Sequence, residues 1–365
     1  MRIALESHEL LISKMTGVGR YVFELGCHLR RIEPDTKHVL PLSRIGKHAR
    51  LIRNGVSNTR YIPQRWWPCA PYDILHLTAG KRMRVPGAPA IILTVHDLWE
   101  FVEFARGDRT EYTNANRRLI ELLSIADGTI CVSQSTQDDL RRFMPDLAIP
   151  STVVHHGVSE LFHRSEASAI ELFRSRRLPH VGEYLLAVGH FHPRKNIPGL
   201  IAGYAAVARP RPPLVLAGNS DVDLRAAMQR HARALGVSDG ELIQLDYVAN
   251  ADLSALISGA RGVIFVPLYE GFGLPLIEAY RCGTPVVCAD NSSLKELAHL
   301  SLPLVDATNP GSVAHGIQAM LGLPLDDRLR DTLIAHGHSF TWDCCAQKTH
   351  DFYREVLHLR HPTAR

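Results

Sequence analysis

Short apolar runs alternating with helical patterns, repeated along the whole chain, limit the possible folds more than any other feature of this sequence. In the first half the runs fall at 3–6, 38–42, 73–78, 90–96, 129–133 and 152–155, with helical patterns at 19–31, 110–125 and 134–143. In the second half they fall at 184–188, 214–217, 242–247, 262–266, 285–289 and 303–305. Helical patterns at 198–208, 223–235, 251–259, 275–281 and 310–321 separate those. Val-, Ile- and Leu-rich strands, each followed by a helix, predict parallel sheets covered on both faces. The pattern weakens between 156 and 182, in a charged, Ser-containing segment. The expected architecture is therefore α/β, with doubly wound domains at 1–165 and 166–340, and 365 residues suffice for two. Ligands of such sheets bind at the carboxyl ends of the strands, and two domains facing each other would enclose a cleft.

Composition excludes other classes. Hydrophobic residues make up 45% of the chain and charged residues 21%, too apolar for a mainly disordered protein. Stretches without a charge, such as 85–95, fall far short of the roughly 20 apolar residues of a spanning helix. The N-terminus meets Glu6 before any apolar core of a signal peptide can form, so none is expected. Seven cysteines, with no Cys-x-x-Cys, read as reduced cytosolic thiols rather than a disulfide or zinc framework.

Four strings carry chemistry. The strongest is Tyr269-Glu270-Gly271-Phe272-Gly273-Leu274-Pro275-Leu276-Ile277-Glu278, directly after an apolar run. Its glycines permit a tight turn and close approach to a ligand, and Pro275 suits the first turn of a helix. The helix start offers free N–H groups and partial positive charge to a phosphate or to sugar hydroxyls. Glu270 and Glu278 can accept from hydroxyl pairs. The second string begins with Gly189 just past a strand and includes Arg194, Lys195 and Asn196. Two adjacent cations at a strand-to-helix turn suit a diphosphate. The third, Thr16-Gly17-Val18-Gly19-Arg20-Tyr21, opens a helix but lacks the third glycine of a dinucleotide fingerprint and the Gly-Lys-Ser/Thr of a P-loop. In the fourth, Val95-His96-Asp97, a strand ends on a histidine able to act as hydrogen-bond partner or proton carrier, with an acid beside it.

Together these strings resemble the retaining glycosyltransferases of family four, which have the B-type fold of two facing Rossmann-like domains. The likeness runs from the Thr16–Tyr21 loop through Thr94-Val95-His96-Asp97-Leu98, Val132-Ser133-Gln134-Ser135 and Pro193-Arg194-Lys195-Asn196. It continues through Tyr247-Val248, Glu270 to Glu278, Gly283-Thr284-Pro285-Val286-Val287 and Asn291-Ser292-Ser293-Leu294. The stretch 341–360 looks like the family's last helix, which crosses back onto the first domain. By position, the resemblance implies that Arg194 and Lys195 neutralise the donor diphosphate and that Glu278 holds the ribose hydroxyls. Glu270 and the backbone of Phe272, Gly273 and Leu274 would bind the donor sugar. His96 would meet that sugar from the acceptor side, and Gly17 and Gly19 would cap the phosphates. The sequence departs from the family at His192, where an acid usually precedes Pro-Arg-Lys-Asn, at Pro267-Leu268, at Tyr280, and at 295–299.

The implied reaction is hexosyl transfer from a nucleotide sugar, on the same face, with the leaving phosphate helping to remove the acceptor proton. The motifs look most like members using GDP-mannose or related GDP-deoxysugars in polysaccharide and O-antigen assembly. A UDP-sugar donor, or an epimerase on the same fold, is the alternative. No cofactor and no metal are expected; Asp221-Val222-Asp223 has the metal-holding Asp-x-Asp spacing but precedes a helix, where capping explains it. A glycosidase would need two facing carboxylates and no diphosphate site.

Charge is uneven. Residues 36–95 carry ten cations against Asp73 alone, a net of +9 in a chain whose total is +4. Without a binding module this does not indicate nucleic acid. Arg65-Trp66-Trp67 has the composition of a membrane-interface contact. The expected location is the cytoplasm, peripheral to an anionic membrane that carries a lipid-linked diphosphate saccharide acceptor.

Overall fold

A computed structural model of the chain describes residues 1–12, 16–53, 55–56, 58–62, 72–80, 89–218, 222–299 and 302–360. The Trp66–Trp67 pair, Arg65, Lys81, Arg82, Arg84 and Asp221 lie outside them. The chain divides into two compact units, Met1–Gly157 together with the chain from Thr341 onward, and Val158–Phe340.

The first unit holds a seven-stranded parallel sheet of β1 (Ile3–Glu6), β2 (Lys37–Pro41), β3 (Thr59–Ile62), β4 (Ile74–Leu77), β5 (Ala90–Val95), β6 (Gly128–Cys131) and β7 (Ser151–Val153). The strand order is β3-β2-β1-β4-β5-β6-β7, with Leu5 of β1 level with His38 of β2 and His76 of β4. On one face, Leu5, Tyr21, Val22, Leu25 and Leu29 pack with Ile74 and Ile92. Trp342, Phe352, Tyr353 and Val356, from the helix Trp342–Arg360, join that cluster. The Tyr353 hydroxyl meets His76 Nδ1 at 2.5 Å, a buried polar tie between this last helix and the sheet.

The second unit holds a six-stranded parallel sheet of β8 (Leu185–Val188), β9 (Leu214–Ala217), β10 (Leu242–Leu245), β11 (Gly262–Phe265), β12 (Val286–Ala289) and β13 (Leu304–Val305), in the order β10-β9-β8-β11-β12-β13. Strands such as Leu-Val-Leu-Ala at β9 are buried throughout, as helices on both faces require. In each sheet the strand order reverses beside the first strand, and the crevice at that switch point is where open α/β sheets take their ligands.

Several elements differ from the sequence expectation. The helix expected over 110–125 is shorter, Asn114–Leu123, and a further helix, Trp99–Ala105, precedes it. Thr113 caps the helix Asn114–Leu123 by accepting from Asn116 N, while Asn116 Oδ1 accepts from Thr113 N. Strand β3 and the helices Ala167–Arg177 and Asp327–His338 were not anticipated. Residues 158–165, placed by sequence with the first domain, belong to the second unit. Ser254 Oγ donates to Leu161 O, and Ser165 N donates to Ser258 Oγ at 3.0 Å. Among the described residues no helix is long and apolar enough to cross a membrane, and the described cysteines are free thiols.

Candidate active site

In the second unit the switch point lies between β8 and β11. Beyond β8 the chain turns at Gly189, whose φ of 146° favours glycine. A Cβ at the neighbouring Gly218 would overlap the Gly189 carbonyl oxygen, so these loops touch backbone to backbone. His192 Nδ1 then accepts from Arg194 N at 3.3 Å and starts a short 3-10 turn, Pro193–Lys195. Asn196 closes this turn in the left-handed region at φ 55°. Its side-chain amide donates to Val266 O at 3.1 Å and Ala307 O at 2.7 Å, pinning the basic turn to the end of β11. Leu268 N also donates to Arg194 O at 2.8 Å.

The loop after β11 brings Glu270 to that turn. Lys195 Nζ donates to Glu270 Oε2 at 2.6 Å, and the ammonium stands 5.0 Å over the Phe265 ring. Glu270 is held from its own backbone, its N–H donating to Ser292 Oγ at 2.9 Å while its carbonyl accepts from Ser293 Oγ at 2.8 Å. Ser293 Oγ also contacts Phe272 O, at 2.7 Å, and Asn291 Nδ2 donates to Pro267 O at 2.9 Å. Gly273, at φ 103°, caps the helix Leu274–Arg281, in whose first turn Pro275 lies. A side chain there would be strained and would strike Leu294. Glu278 lies one turn into this helix and is 7% exposed, against 9% for Glu270. The second sheet thus carries Gly189, Arg194, Lys195, Glu270, Phe272 and Gly273 on the loops after two adjacent strands, and Leu274 and Glu278 on the helix that follows the second of these loops. Lys195 and Glu270 touch directly. A fixed cation paired with a carboxylate, at a loop that leads into a helix N-terminus, can hold an anion and hydroxyl groups side by side.

The first unit carries the remaining candidates. Thr16 caps the helix Gly17–Ile32, and its Oγ1 accepts from Gly19 N at 2.9 Å. The Gly19 N–H is therefore used within the cap. His96 follows β5, and its Nε2 donates to Thr78 O at 2.7 Å, which leaves Nδ1 as the acceptor face. Burial, partly opposed by the Thr78 carbonyl, Asp97 and Glu6, lowers the His96 pKa and keeps the ring neutral. Its ring stands edge-on to Tyr21, at 5.0 Å between centroids. Asp97 Oδ1 accepts from Trp99 N at 3.3 Å, at the start of the helix Trp99–Ala105. Asp223 lies in the first turn of the helix Val222–Ala234, where a carboxylate complements the helix dipole.

A carboxylate–imidazole pair in the first unit has no counterpart in the sequence reading. Glu6 ends β1 fully buried, and its Oε1 accepts from His8 N at 2.8 Å and meets His8 Nδ1 at 2.6 Å. Its Oε2 accepts from Ala79 N at 3.1 Å. Thr78 Oγ1 donates to Glu6 O, so one residue links Glu6 to His96. The only sequence hint was an acid closing an otherwise apolar strand.

Two family patterns match the chain: the one described as Glycosyltransferase Family 4 over residues 15–160, and the one described as Glycosyl transferases group 1 over residues 169–337. O-antigen chain mannosyltransferase B of Escherichia coli is 31% identical over 275 residues, 72% of this chain and 70% of that protein. The serotype-specific mannosyltransferase WbdA of Escherichia coli is 32% identical over 179 residues, 47% of this chain, and the match spans only 22% of that longer protein. Among solved structures, the sucrose-phosphate synthase of Thermosynechococcus elongatus superposes with a TM-score of 0.76 at 20% identity, covering 98% of this chain and 100% of that one. At that identity the likeness concerns the fold.

Proposed function

The chain belongs to glycosyltransferase family 4, with the two Rossmann-like domains of the B-type fold, and from that premise we propose that it transfers mannose, or a related deoxyhexose, from a GDP-sugar to a saccharide acceptor. The nucleotide-sugar glycosyltransferase class follows from the family. The O-antigen setting and the mannosyl group are supported by the mannosyltransferase relatives. The observation that carries the site is the Lys195–Glu270 pair at the switch point of the second sheet.

In this reading Lys195 and Arg194 neutralise the charge that develops on the diphosphate as its bond to the anomeric carbon breaks. The N-terminus of the helix Leu274–Arg281 adds partial positive charge, and Glu278 accepts from the ribose hydroxyls. Glu270, fixed by Ser292 and Ser293, accepts from the sugar hydroxyls. The acceptor oxygen bonds to the carbon from the face the phosphate leaves, and its proton passes to a phosphate oxygen, giving retention. His96, neutral, offers Nδ1 to a hydroxyl. Gly17 and Gly19, in the first turn of the helix Gly17–Ile32, put its positive N-terminal end towards phosphate. The reading includes a lipid-linked diphosphate acceptor, peripheral residence at the cytoplasmic face of a membrane, and no metal requirement.

Thermal-shift measurements with GDP, UDP and dTDP test the donor: stabilisation by GDP alone supports the reading, and a preference for UDP or dTDP overturns it. NMR of the product bond reads the anomeric outcome, where inversion would contradict the mechanism. Loss of transfer with a chelator present would contradict metal independence. Donor turnover without any acceptor would point to the epimerase instead.

A further inference from the structure

The first sheet has a switch point of its own, where β1 and β4 are neighbours. Glu6 closes β1, and Thr78 and Ala79 follow β4. Glu6 is fully buried. A carboxylate taken out of water is costly unless donors surround it. His8 N and Ala79 N donate to it at 2.8 and 3.1 Å, one to each oxygen, and the His8 ring meets it at 2.6 Å. Both oxygens already accept from backbone N–H groups, so the ring donates from Nδ1 and carries its lone pair on Nε2.

The backbone around His8 is fixed on both sides. Ser7 is buried, and its Oγ donates to Leu5 O at 2.8 Å and meets His38 Nδ1 at 2.9 Å. Leu10 and Leu11, in the 3-10 turn His8–Leu11, are buried in the core. The imidazole between these anchors is not sealed: 11% of its side chain is exposed, and Nε2 makes no hydrogen bond among the described residues. A strand-to-turn junction alone is closed well enough by a neutral Ser or Asn side chain. A buried carboxylate that selects one imidazole tautomer and leaves the other nitrogen open is instead how an acid orients a working histidine. Thr78 joins this pair to His96, with Oγ1 donating to Glu6 O and the carbonyl accepting from His96 Nε2 at 2.7 Å. Two oriented imidazoles therefore stand at the carboxyl ends of one sheet, where doubly wound domains take their ligands.

We propose that His8 binds the saccharide acceptor, its Nε2 accepting from a hydroxyl of the acceptor's terminal sugar, and that Glu6 is the positioning residue of His8. The assignment rests on the proposed sugar transfer for the nature of the ligand, and not on the choice of nucleotide. A sugar hydroxyl suits this nitrogen, because it donates one proton and brings no charge. The bound hydroxyl is one that does not react; the reacting oxygen still gives its proton to the departing phosphate. An acceptor that lacks the bound hydroxyl would be rejected, because Nε2 would be left desolvated and unpaired.

Transfer to octyl α-mannoside, octyl α-rhamnoside and octyl β-N-acetylglucosaminide tests this, with GDP-mannose, UDP-glucose or dTDP-rhamnose as donor, whichever is turned over. His8→Asn keeps an amide N–H where Nδ1–H donates to Glu6 and removes Nε2. It should leave the melting midpoint near wild type and the donor KM within about twofold, while raising the acceptor KM by about tenfold, the scale of one hydrogen bond. A merely structural His8–Glu6 tie predicts no change in that variant. Among monodeoxy analogues of the octyl glycoside used, one should be a poorer acceptor than its parent for the wild type and no poorer for His8→Asn. Glu6→Gln should also raise the acceptor KM, and adding it to His8→Asn should raise it no further, since Glu6 acts through His8. A wild-type acceptor KM in His8→Asn, a rise confined to the donor KM, or summed effects in the double variant would each overturn the proposal. Transfer to none of the glycosides by a protein that a nucleotide still stabilises would overturn it too. Turnover of UDP-glucose or dTDP-rhamnose in place of GDP-mannose would count against the GDP-sugar reading and leave the His8 comparison as it stands.

Discussion

Lys195 and Glu270 are 75 residues apart in sequence, yet their side chains make a 2.6 Å ion pair. Each was legible alone, Lys195 from a basic strand-to-helix turn and Glu270 from a Glu-Gly-Phe-Gly string. Their pairing was not, because it depends on β8 and β11 being neighbours. Lys195→Ala should lower turnover of GDP-mannose by about 100-fold or more, the usual scale for one preorganised electrostatic group. Near-UV circular dichroism should show the fold retained, and normal turnover would sink the assignment. Glu270→Gln keeps the shape and removes the charge. If Glu270 binds the sugar while Lys195 binds phosphate, this variant should raise the KM for GDP-mannose and leave the melting shift by GDP itself nearly unchanged.

At the scale of elements, the site is held by residues that sequence reasoning passed over. Asn196 and Ser293 occur inside the family strings, but nothing in their spacing says what they do. Both act by hydrogen bonds to the backbone of distant segments, a role that leaves no periodic or charge signal. Asn196→Gly tolerates the left-handed backbone but frees the Val266 and Ala307 carbonyls, and it should cost about 1–3 kcal/mol in urea unfolding. It should also raise the GDP-mannose KM, since the basic turn loses its strap. Asn196→Ala should cost more, because it adds backbone strain at φ 55°. Strands read well because β8, β9 and β11 are uninterrupted apolar runs. The helix Ala167–Arg177 escaped because only Phe173 of it is buried, so it shows no apolar stripe. Strand β3 escaped because its Thr-Arg-Tyr-Ile sits in a basic stretch without a run of aliphatic residues.

For the whole molecule, the two-sheet α/β architecture was legible from the alternation of runs alone, and its family from the motifs. The unit boundary was less so, because residues 158–165 join the second unit through the buried Val158 and Phe162 and scattered hydrogen bonds rather than through any repeat. The two units should also respond differently to acid. Burial pushes the His76 imidazole down to about 3 and His38 down to about 4, and His156 also falls well below its usual value. Above about pH 6.5 these rings are neutral in both folded and unfolded chains, while below it only the unfolded chain takes up protons. Stability therefore declines as pH falls from about 6.5 towards 4, by up to about 1.4 kcal/mol per pH unit for each such ring. Calorimetry across that window should show the first unit's transition moving to lower temperature ahead of the second's, and a joint, unchanged shift of both would refute this. The helix Trp342–Arg360 carries a further consequence. It completes the core of the first unit, yet it leaves the ribosome only after all of residues 158–340. Throughout that interval the apolar seat later filled by Trp342, Phe352, Tyr353 and Val356 has no helix to cover it, so the first unit cannot complete its core until synthesis has passed the second.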